Sequence, residues 1–448
     1  MSKNNQIILT VGVYLALALA PYATVSAGDG LATGTITSAT GSAGQQASFV
    51  AMQNICSQLG GSTLACSLTG GGAYSSSFAN DNSLGFQQLS PQSAMQAESI
   101  AITSPYQFIR TVNQQAQKLR DCQSSEKCNS NGSSGGGSSS DAYSVIGPFG
   151  VSFSGGGGFG DRDTSVGQTG FNIDTRQANL IIDYPFTREL TGGFAFNYVN
   201  ANRNLALASG KLNSDSYRFA PFLSYAPTPN SYVTMMGGYA RVDFDSKRSF
   251  SPSTNALPVP GSTITVSDAT AKYGANEYFA SLGTGYTYTM KAWSLRGYGR
   301  GDYNHLNIGN FQESGAIASN DGFSYASKVN GQSILSATST LGAELSYAIS
   351  TNTLAAVVIP RLHAEWVHEF QNSSRQTQIT FSAAQNGAIL ASSAQSIAVA
   401  GPERNWANLG FGVQMQLPHA LVGYLNYDTL FIQNASNQTV SGGVRVNF

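Results

Sequence analysis

The chain has 448 residues, only 10% of them charged, with a net charge of −1 and 49 glycines. Near-neutral charge leaves no electrostatic footprint for nucleic acid, and the charged fraction is far below the roughly 25% of an ordinary soluble domain. A mean hydropathy of −0.11 is also too low for a bundle of membrane helices. A barrel that alternates apolar residues outside with Ser, Thr, Asn and Gly inside produces both values at once.

Lys3, the apolar stretch from Ile7 to Ala20 and the small residues Val25-Ser26-Ala27 predict a secretory signal over 1–27, cleaved before Gly28. The stretch falls short of the roughly 20 residues a spanning helix needs, and no later run of about 18 apolar residues replaces it. Leu64-Ala65-Cys66 resembles a lipoprotein cleavage box but lies far beyond the signal. All four cysteines (Cys56, Cys66, Cys122 and Cys128) precede residue 130. An even number in an exported chain predicts disulfides, with three possible connectivities. Their short separations favour Cys56–Cys66 and Cys122–Cys128. Zinc fits poorly, because no His lies in this region and neither pair has a two-residue spacing.

Residues 28–128 read as a short helical region. Gly28 to Gly44 has nothing to bury and is expected to be disordered. Gln45 to Leu59 places Phe49, Met52, Cys56 and Leu59 on one helical stripe. The polar stretch Thr69 to Asn82 separates that helix from the next. Ser90-Pro91 and Ser104-Pro105 each carry a helix-start signal, a capping hydroxyl followed by a proline. The second start leads into Phe108, Val112, Ala116 and Leu119 on one face. This region is too small for a large core of its own, so a partner surface or a barrel lumen is expected to help hold it. Residues 129–143 are a Gly/Ser/Asn tether.

Residues 144–448 become a series of alternating strands. Phe194, Phe196 and Tyr198 oppose Gly193, Ala195 and Asn197, and Leu409, Phe411, Val413 and Met415 oppose Gly410, Gly412, Gln414 and Gln416. Short links around 185–189, 227–230, 289–292, 350–353 and 418–420 alternate with longer ones at 160–169, 204–213, 248–272, 306–330, 371–403 and 432–437. A sandwich has no reason to sort its loops by end, whereas an up-and-down membrane barrel does. The fold class is therefore an all-β transmembrane barrel of about 12 antiparallel strands, preceded by the small helical, disulfide-bearing region. The three longest loops, low in charge, read as exposed and unspecialised. The short links should face the periplasm, with Tyr184, Phe186, Tyr225, Tyr288, Trp293, Tyr347 and Leu417 near that rim.

Alternation turns a set of charged residues toward the lumen: Arg218, Arg241, Arg296, Arg300, Asp302, Glu344, Arg361, His363, Glu365 and Arg445. Such groups either line a pore or form a structural network that braces the lumen or holds a plug. The chain closes on Val440-Ser-Gly-Gly-Val444-Arg-Val446-Asn-Phe448, whose apolar face ends flush with a final aromatic ring, as a lipid-facing closing strand would.

These residues resemble a known family. From about 145 to 448 the chain is similar to the translocator barrel of autotransporters (type V secretion). The likeness rests on Gly170-Phe171-Asn172-Ile173-Asp174, Leu180 to Phe186, Leu341 to Tyr347, Pro360 to Phe370, Arg404 to Gly410 and the terminal Phe448. The resemblance implies twelve strands in the outer membrane of a Gram-negative bacterium. It also implies delivery by periplasmic chaperones and insertion by the barrel assembly machinery, with Val440, Val444, Val446 and Phe448 of the last strand as the assembly signal. A helix lying in the pore is implied too, with Pro105 to Asp121 as the candidate. The departures are a region of only about a hundred residues ahead of the barrel, with no repeats, no Gly-Asp-Ser-Gly stretch and no Asn pair in the pore helix. A Leu-Ser-Pro step (Leu89-Ser90-Pro91) is shared with the short helical segment of many members.

Two functions follow as expectations. In one, the barrel anchors, and translocates or displays, its short N-terminal region at the cell surface. In the other, it is an outer-membrane channel or structural barrel whose N-terminal region stays periplasmic or plugs the lumen. A monomer surrounded by outer-membrane lipid is expected, with no nucleic acid, cofactor or metal. Asp243, Asp245, Asp302, His305 and His368 lie toward the exterior rim without a spacing that specifies chemistry, so no catalytic residues are assigned.

Overall fold

The computed structural model describes residues 43–60, 63, 65–66, 91, 97–124, 149–163, 170–206, 210–249, 268–315, 317–318, 323–351, 356–399, 401–417, 421–432 and 435–447. Within these, the side chains of 43, 97–103, 118–124, 317–318, 351 and 356 are not described. The signal at 1–27, the tether at 129–143, Cys128, Phe448 and the Cys122 side chain therefore lie outside the described residues.

Two helices come first, α1 (Ala43–Leu59) and α2 (Ala97–Ser124). Seven long strands follow: β1 (Gly150–Arg162), β2 (Phe171–Pro185), β3 (Leu190–Leu205), β4 (Gly210–Tyr225), β5 (Ser231–Arg248), β6 (Ala269–Met290) and β7 (Trp293–Ile308). Next come the short β8 (Phe311–Gln312), β9 (Ile317–Ala318) and β10 (Ser324–Val329), then β11 (Gln332–Tyr347), the spur β12 (Ile349–Thr351) and β13 (Ala356–Glu369). The chain ends with β14 (Arg375–Gln385), β15 (Ala388–Val399), β16 (Asn405–Leu417), β17 (Leu421–Ile432) and β18 (Ala435–Asn447).

Twelve of these strands close into one antiparallel barrel. They are β1 to β7, β11, β13, β16, β17 and β18, each paired with its chain neighbour, and β1 pairs β18 to seal the wall. In that seam Val446 lies opposite Val151 and Val444 opposite Phe153. All links at one end are tight. Met290 joins Trp293 through Lys291 and Ala292, with Lys291 in the left-handed region at φ 57°. Gly150 and Asn447 lie at this turn end, and the three longest links, 249–268, 309–331 and 370–404, gather at the opposite, loop end. The links expected to be long at 204–213 and 432–437 are cut to 206–209 and 433–434, because the strands run on into them.

The outer wall carries exposed rings in two tiers. Tyr225, Tyr286, Tyr288, Trp293 and Tyr347 lie near the turn end, and Tyr198, Tyr217, Tyr239, Tyr278 and Tyr303 nearer the loop end. The ten residue steps from Trp293 to Tyr303 rise ~34 Å along the strand, which a tilt of ~40° reduces to ~25 Å, the height of the lipid-facing band of such barrels. Among the described residues no helix is long and apolar enough to cross a membrane.

Two expectations are corrected here. The loops at 306–330 and 371–403 are not unspecialised, for they fold into a second sheet in the order β15-β14-β10-β8, with β9 on β10. Tyr325, Val329, Ile379, Phe381, Ile397 and Val399 alternate toward a buried face, and Asn386 (φ 52°) with Gly387 (φ 82°) supplies the turn that joins β14 to β15. Ser104-Pro105 does not start a helix either. α2 runs through it with Pro105 inside, at the cost of the one amide proline lacks.

α1 forms as expected but packs against this loop sheet. Ala47, Ala51, Met52 and Ile55 share a core with Tyr325, Ile379, Phe381, Ala391, Ile397 and Val399. Phe49, Cys56 and Leu59, three members of the expected stripe, flank that core. The core continues into the loop-end tips of β4 to β7 through Leu212, Phe244, Tyr273 and Leu306. Cys56 and Cys66 form a disulfide that staples the chain just past α1.

Candidate functional site in the helix-filled lumen

α2 lies inside the barrel, because its side chains meet inward-facing residues on opposite walls. One face is apolar: Phe108, Ile109, Val112 and Ala116 pack on Ile181, Ala195, Ala220, Phe222, Met236 and Phe279 of β2 to β6. Phe108 meets Phe279 edge-on, with ring centroids 5.8 Å apart. The other face is polar and meets β11, β13, β17 and β18. Gln107 donates to Thr439 Oγ1 at 3.2 Å, Gln115 to the Tyr424 hydroxyl at 2.8 Å and Gln117 to Glu344 Oε1 at 3.3 Å.

Arg110 is the centre of that polar face. Its Nη2 donates to Asp428 Oδ1 at 2.7 Å and to His363 Nε2, and its Nε lies 3.5 Å from Glu365 Oε2. Glu365 also accepts from Tyr106 of α2, from Tyr298 of β7 at 2.5 Å and from Asn408 of β16 at 3.0 Å. The Arg300 guanidinium lies 5.1 Å from the Tyr106 ring centroid. A guanidinium that hydrogen-bonds one carboxylate and an imidazole, with a second carboxylate in ion-pair range, is held in one geometry. Buried carboxylates survive in such a lumen only when so paired.

The helix has a direction. Tyr106 packs with Val367, Trp406 and Leu430 near the loop end, whereas Gln117 meets Glu344 near the turn end. α2 therefore descends from the loop end to the turn end, where β1 begins.

Further ion pairs brace the wall. Arg218 on β4 reaches Glu277 on β6 at 3.1 Å, across β5, where the residue in register is Ala240. Arg445 on β18 clasps Asp183 on β2 at 2.5 and 2.7 Å, across Gly150 of β1. In both, a small residue on the middle strand leaves room for the pair. Arg296 pairs Glu344 at 3.0 Å, and Arg300 pairs Asp302 at 2.7 Å.

Of the residues expected in the lumen, Arg218, Arg296, Arg300, Glu344, Arg361, Glu365 and Arg445 are buried, and the side chains of Asp302 and His363 are nearly so. Arg241 is corrected. It lies on the outer wall, 46% exposed, because Ala240 and Val242 take the inward positions of β5. Val440 and Val444 face outward, and Val446 is half-buried on the same face. Asp302 points inward while Asp243 and Asp245 point outward, so these acids do not converge. Among the described residues no group of three or more His, Cys, Asp or Glu is placed to hold a metal ion. Asp428 and Asp183 escaped the sequence reading. The signal for Asp428 was present, since Leu425, Tyr427 and Thr429 alternate with Asn426 and Asp428, whereas Asp183 follows the unbroken apolar run Leu180-Ile181-Ile182.

With this geometry in place, the family comparison is decisive: residues 151–428 match the model of the autotransporter beta-domain. The chain belongs to that family. It is an outer-membrane barrel of autotransporter type. Among solved structures it is similar to the translocator domain of the autotransporter NalP from Neisseria meningitidis, at 13% identity, covering 75% of this chain and 96% of that one, with a TM-score of 0.48. The beta domain of the Bordetella autotransporter Brka is similar at 12% identity, 67% and 99% coverage and a TM-score of 0.43. The transport unit of the autotransporter AIDA-I from Escherichia coli is similar at 13% identity, 69% and 92% coverage and a TM-score of 0.41. A search of curated proteins finds no match.

Proposed function

We propose that this autotransporter-type barrel holds its own N-terminal region at the exterior face of a Gram-negative outer membrane, with α2 threaded through the lumen as the tether. The observation that carries the reading is the place of α1. It packs on the sheet built from the two longest described loops, at the end opposite the tight turns. Tight turns on the periplasmic side and long loops outside are the rule for such barrels. A periplasmic N-terminal region would require the barrel to be inverted.

The filled lumen favours a closed barrel over an open channel, since α2 contacts both walls. The shared core of α1, the loop sheet and the strand tips supports a displayed region that stays docked rather than one that is released. The same reading takes the protein as a monomer, delivered by periplasmic chaperones and inserted by the barrel assembly machinery through β18. Protease added to intact cells is the test. Cleavage within 67–90 supports display, and full protection until the outer membrane is permeabilised overturns it.

A further inference from the structure

The charges on the outer wall are distributed on one side. The outward positions of β7, β11, β13, β16, β17 and β18 carry no Lys, Arg, Asp or Glu. On β4 to β6, by contrast, charge begins in the last row of the upper ring tier. Tyr217 lies opposite Arg241, and Arg241 opposite Asn276. Successive outward rows toward the loop end bring Asp215 opposite Asp243, Asp245 opposite Lys272, and Lys211 opposite Lys247.

The acids in these rows already have protein partners. Asp215 accepts from Tyr198 at 2.7 Å and Asn200 at 2.9 Å, and Asp243 holds Arg241 Nε at 2.9 Å. Asp268 holds Lys247 at 2.6 Å, and Asp245 lies 3.5 Å from Lys272. The cations are less satisfied. Lys272 is 84% exposed. Arg241 uses Nε on Asp243 and Nη1 on Asn276, and lies flat over Gly274, where no side chain competes. Among the described residues its Nη2 has no acceptor. Lys211, exposed and with no ion-pair partner among the described residues, faces Lys247 across the strand pair, and the Asp268 carboxylate that holds Lys247 offsets only one of these two charges.

We propose that this face of β4 to β6 is a binding surface for the phosphates of anionic lipid headgroups in the outer leaflet, with Arg241, Lys211, Lys247 and Lys272 as the donors. The occupant follows from continuity. Met235 and Leu282 below the ring tier are exposed on the lipid-facing band, so the rows just above the tier stand at headgroup height. A guanidinium held on two sides with one edge free suits a phosphate oxygen pair. The surface engages lipid on one side of the barrel only, which gives the molecule a preferred lipid neighbour and orientation. The inference rests on the membrane placement of the barrel and is independent of where the N-terminal region lies.

The test uses the full chain purified from membranes and reconstituted in phosphatidylcholine vesicles containing a minority of phosphatidylglycerol. The lipid retained after extraction into nanodiscs is quantified by mass spectrometry. Phosphatidylglycerol should be enriched over its bulk fraction, by about fivefold for each cation that meets a headgroup, and the enrichment should fall with salt. The triple substitution Arg241→Gln, Lys211→Gln, Lys272→Gln should return the ratio toward bulk, with folding checked by heat-dependent gel mobility. If that chain does not fold, Lys211→Gln and Lys272→Gln singly should each lower the enrichment. A wild-type ratio equal to bulk overturns the proposal, as does full enrichment in these variants. Loss of the enrichment in millimolar inorganic phosphate also overturns it, by marking a small-anion site instead.

Discussion

Gln58 of α1 binds both backbone groups of Ser392 at the edge of β15, donating from Nε2 to the carbonyl at 3.0 Å and accepting from the amide at 3.2 Å. A side-chain amide thereby does what a neighbouring strand would do, and it ties the N-terminal helix to a sheet made from barrel loops. Asn54 adds a bond from Nδ2 to Ser393 Oγ at 3.0 Å.

Gln58→Ala should therefore loosen α1 without disturbing the barrel. Two exposed hydrogen bonds contribute about 0.5 kcal/mol each, so amide exchange across 43–59 should speed up about fivefold while the barrel strands keep their protection. Unchanged exchange in α1 would show that the apolar contact with β14 and β15 alone holds it.

Arg110→Ala removes the cation from between Glu365 and Asp428. Stripping one partner from a buried charge cluster costs about 3–5 kcal/mol, and here the cost falls on the seat of α2 in the lumen. In planar bilayers this variant should open more often or to a higher level than wild type. Deleting 28–121 should raise conductance further. Equal conductance in all three would contradict a helix that fills the pore.

Gly150 lies under the clasp between Arg445 and Asp183. A Cβ there would collide with Arg445 Nη2 and lie 2.7 Å from Asp183 Oδ1. Gly150→Val should push the pair apart and lower the yield of heat-modifiable folded barrel, because an arginine and an aspartate would then be buried unpaired at the closing seam. Asp183→Asn should be milder, since the amide still accepts one of the two bonds. Wild-type yield for Gly150→Val would remove the clasp from any part in closure.

At the loop end, Lys247 beside it holds the Asp268 carboxyl below its ordinary value. A group whose folded pKa is depressed stabilises the fold above its unfolded pKa and loses that contribution as pH falls through the folded value. The contact between β5 and β6 at this end should thus be intact at neutral pH and weaken below about pH 4. Asp268→Asn should abolish that acid-dependent change in local exchange while leaving the neutral-pH barrel intact.

The barrel was legible because strands in lipid write two sorted faces into the sequence. Phe194-Ala195-Phe196-Asn197-Tyr198 could be read directly, and the sorting of short and long links gave the strand count. Arg241 was misplaced because it was read apart from its strand. In Tyr239-Ala240-Arg241-Val242-Asp243 the odd positions are outward, but above the lipid the outer wall turns polar and the usual contrast reverses. The loop sheet was missed because its strands are short and rich in Ala and Ser, although Asn386-Gly387 is a hairpin signal in its own right. Arg110 shows in the sequence only as a charge off the apolar stripe of α2. Its role depends on Asp428, His363 and Glu365 arriving from strands more than 250 residues away, a coincidence that no local pattern encodes.

The most direct measurement concerns Val50, 40% exposed on α1. With Val50→Cys in living cells, a membrane-impermeant maleimide should label the protein as fully before permeabilisation of the outer membrane as after it, over the background of the unsubstituted chain. Labelling that appears only after permeabilisation would put α1 in the periplasm and contradict the display of the N-terminal region.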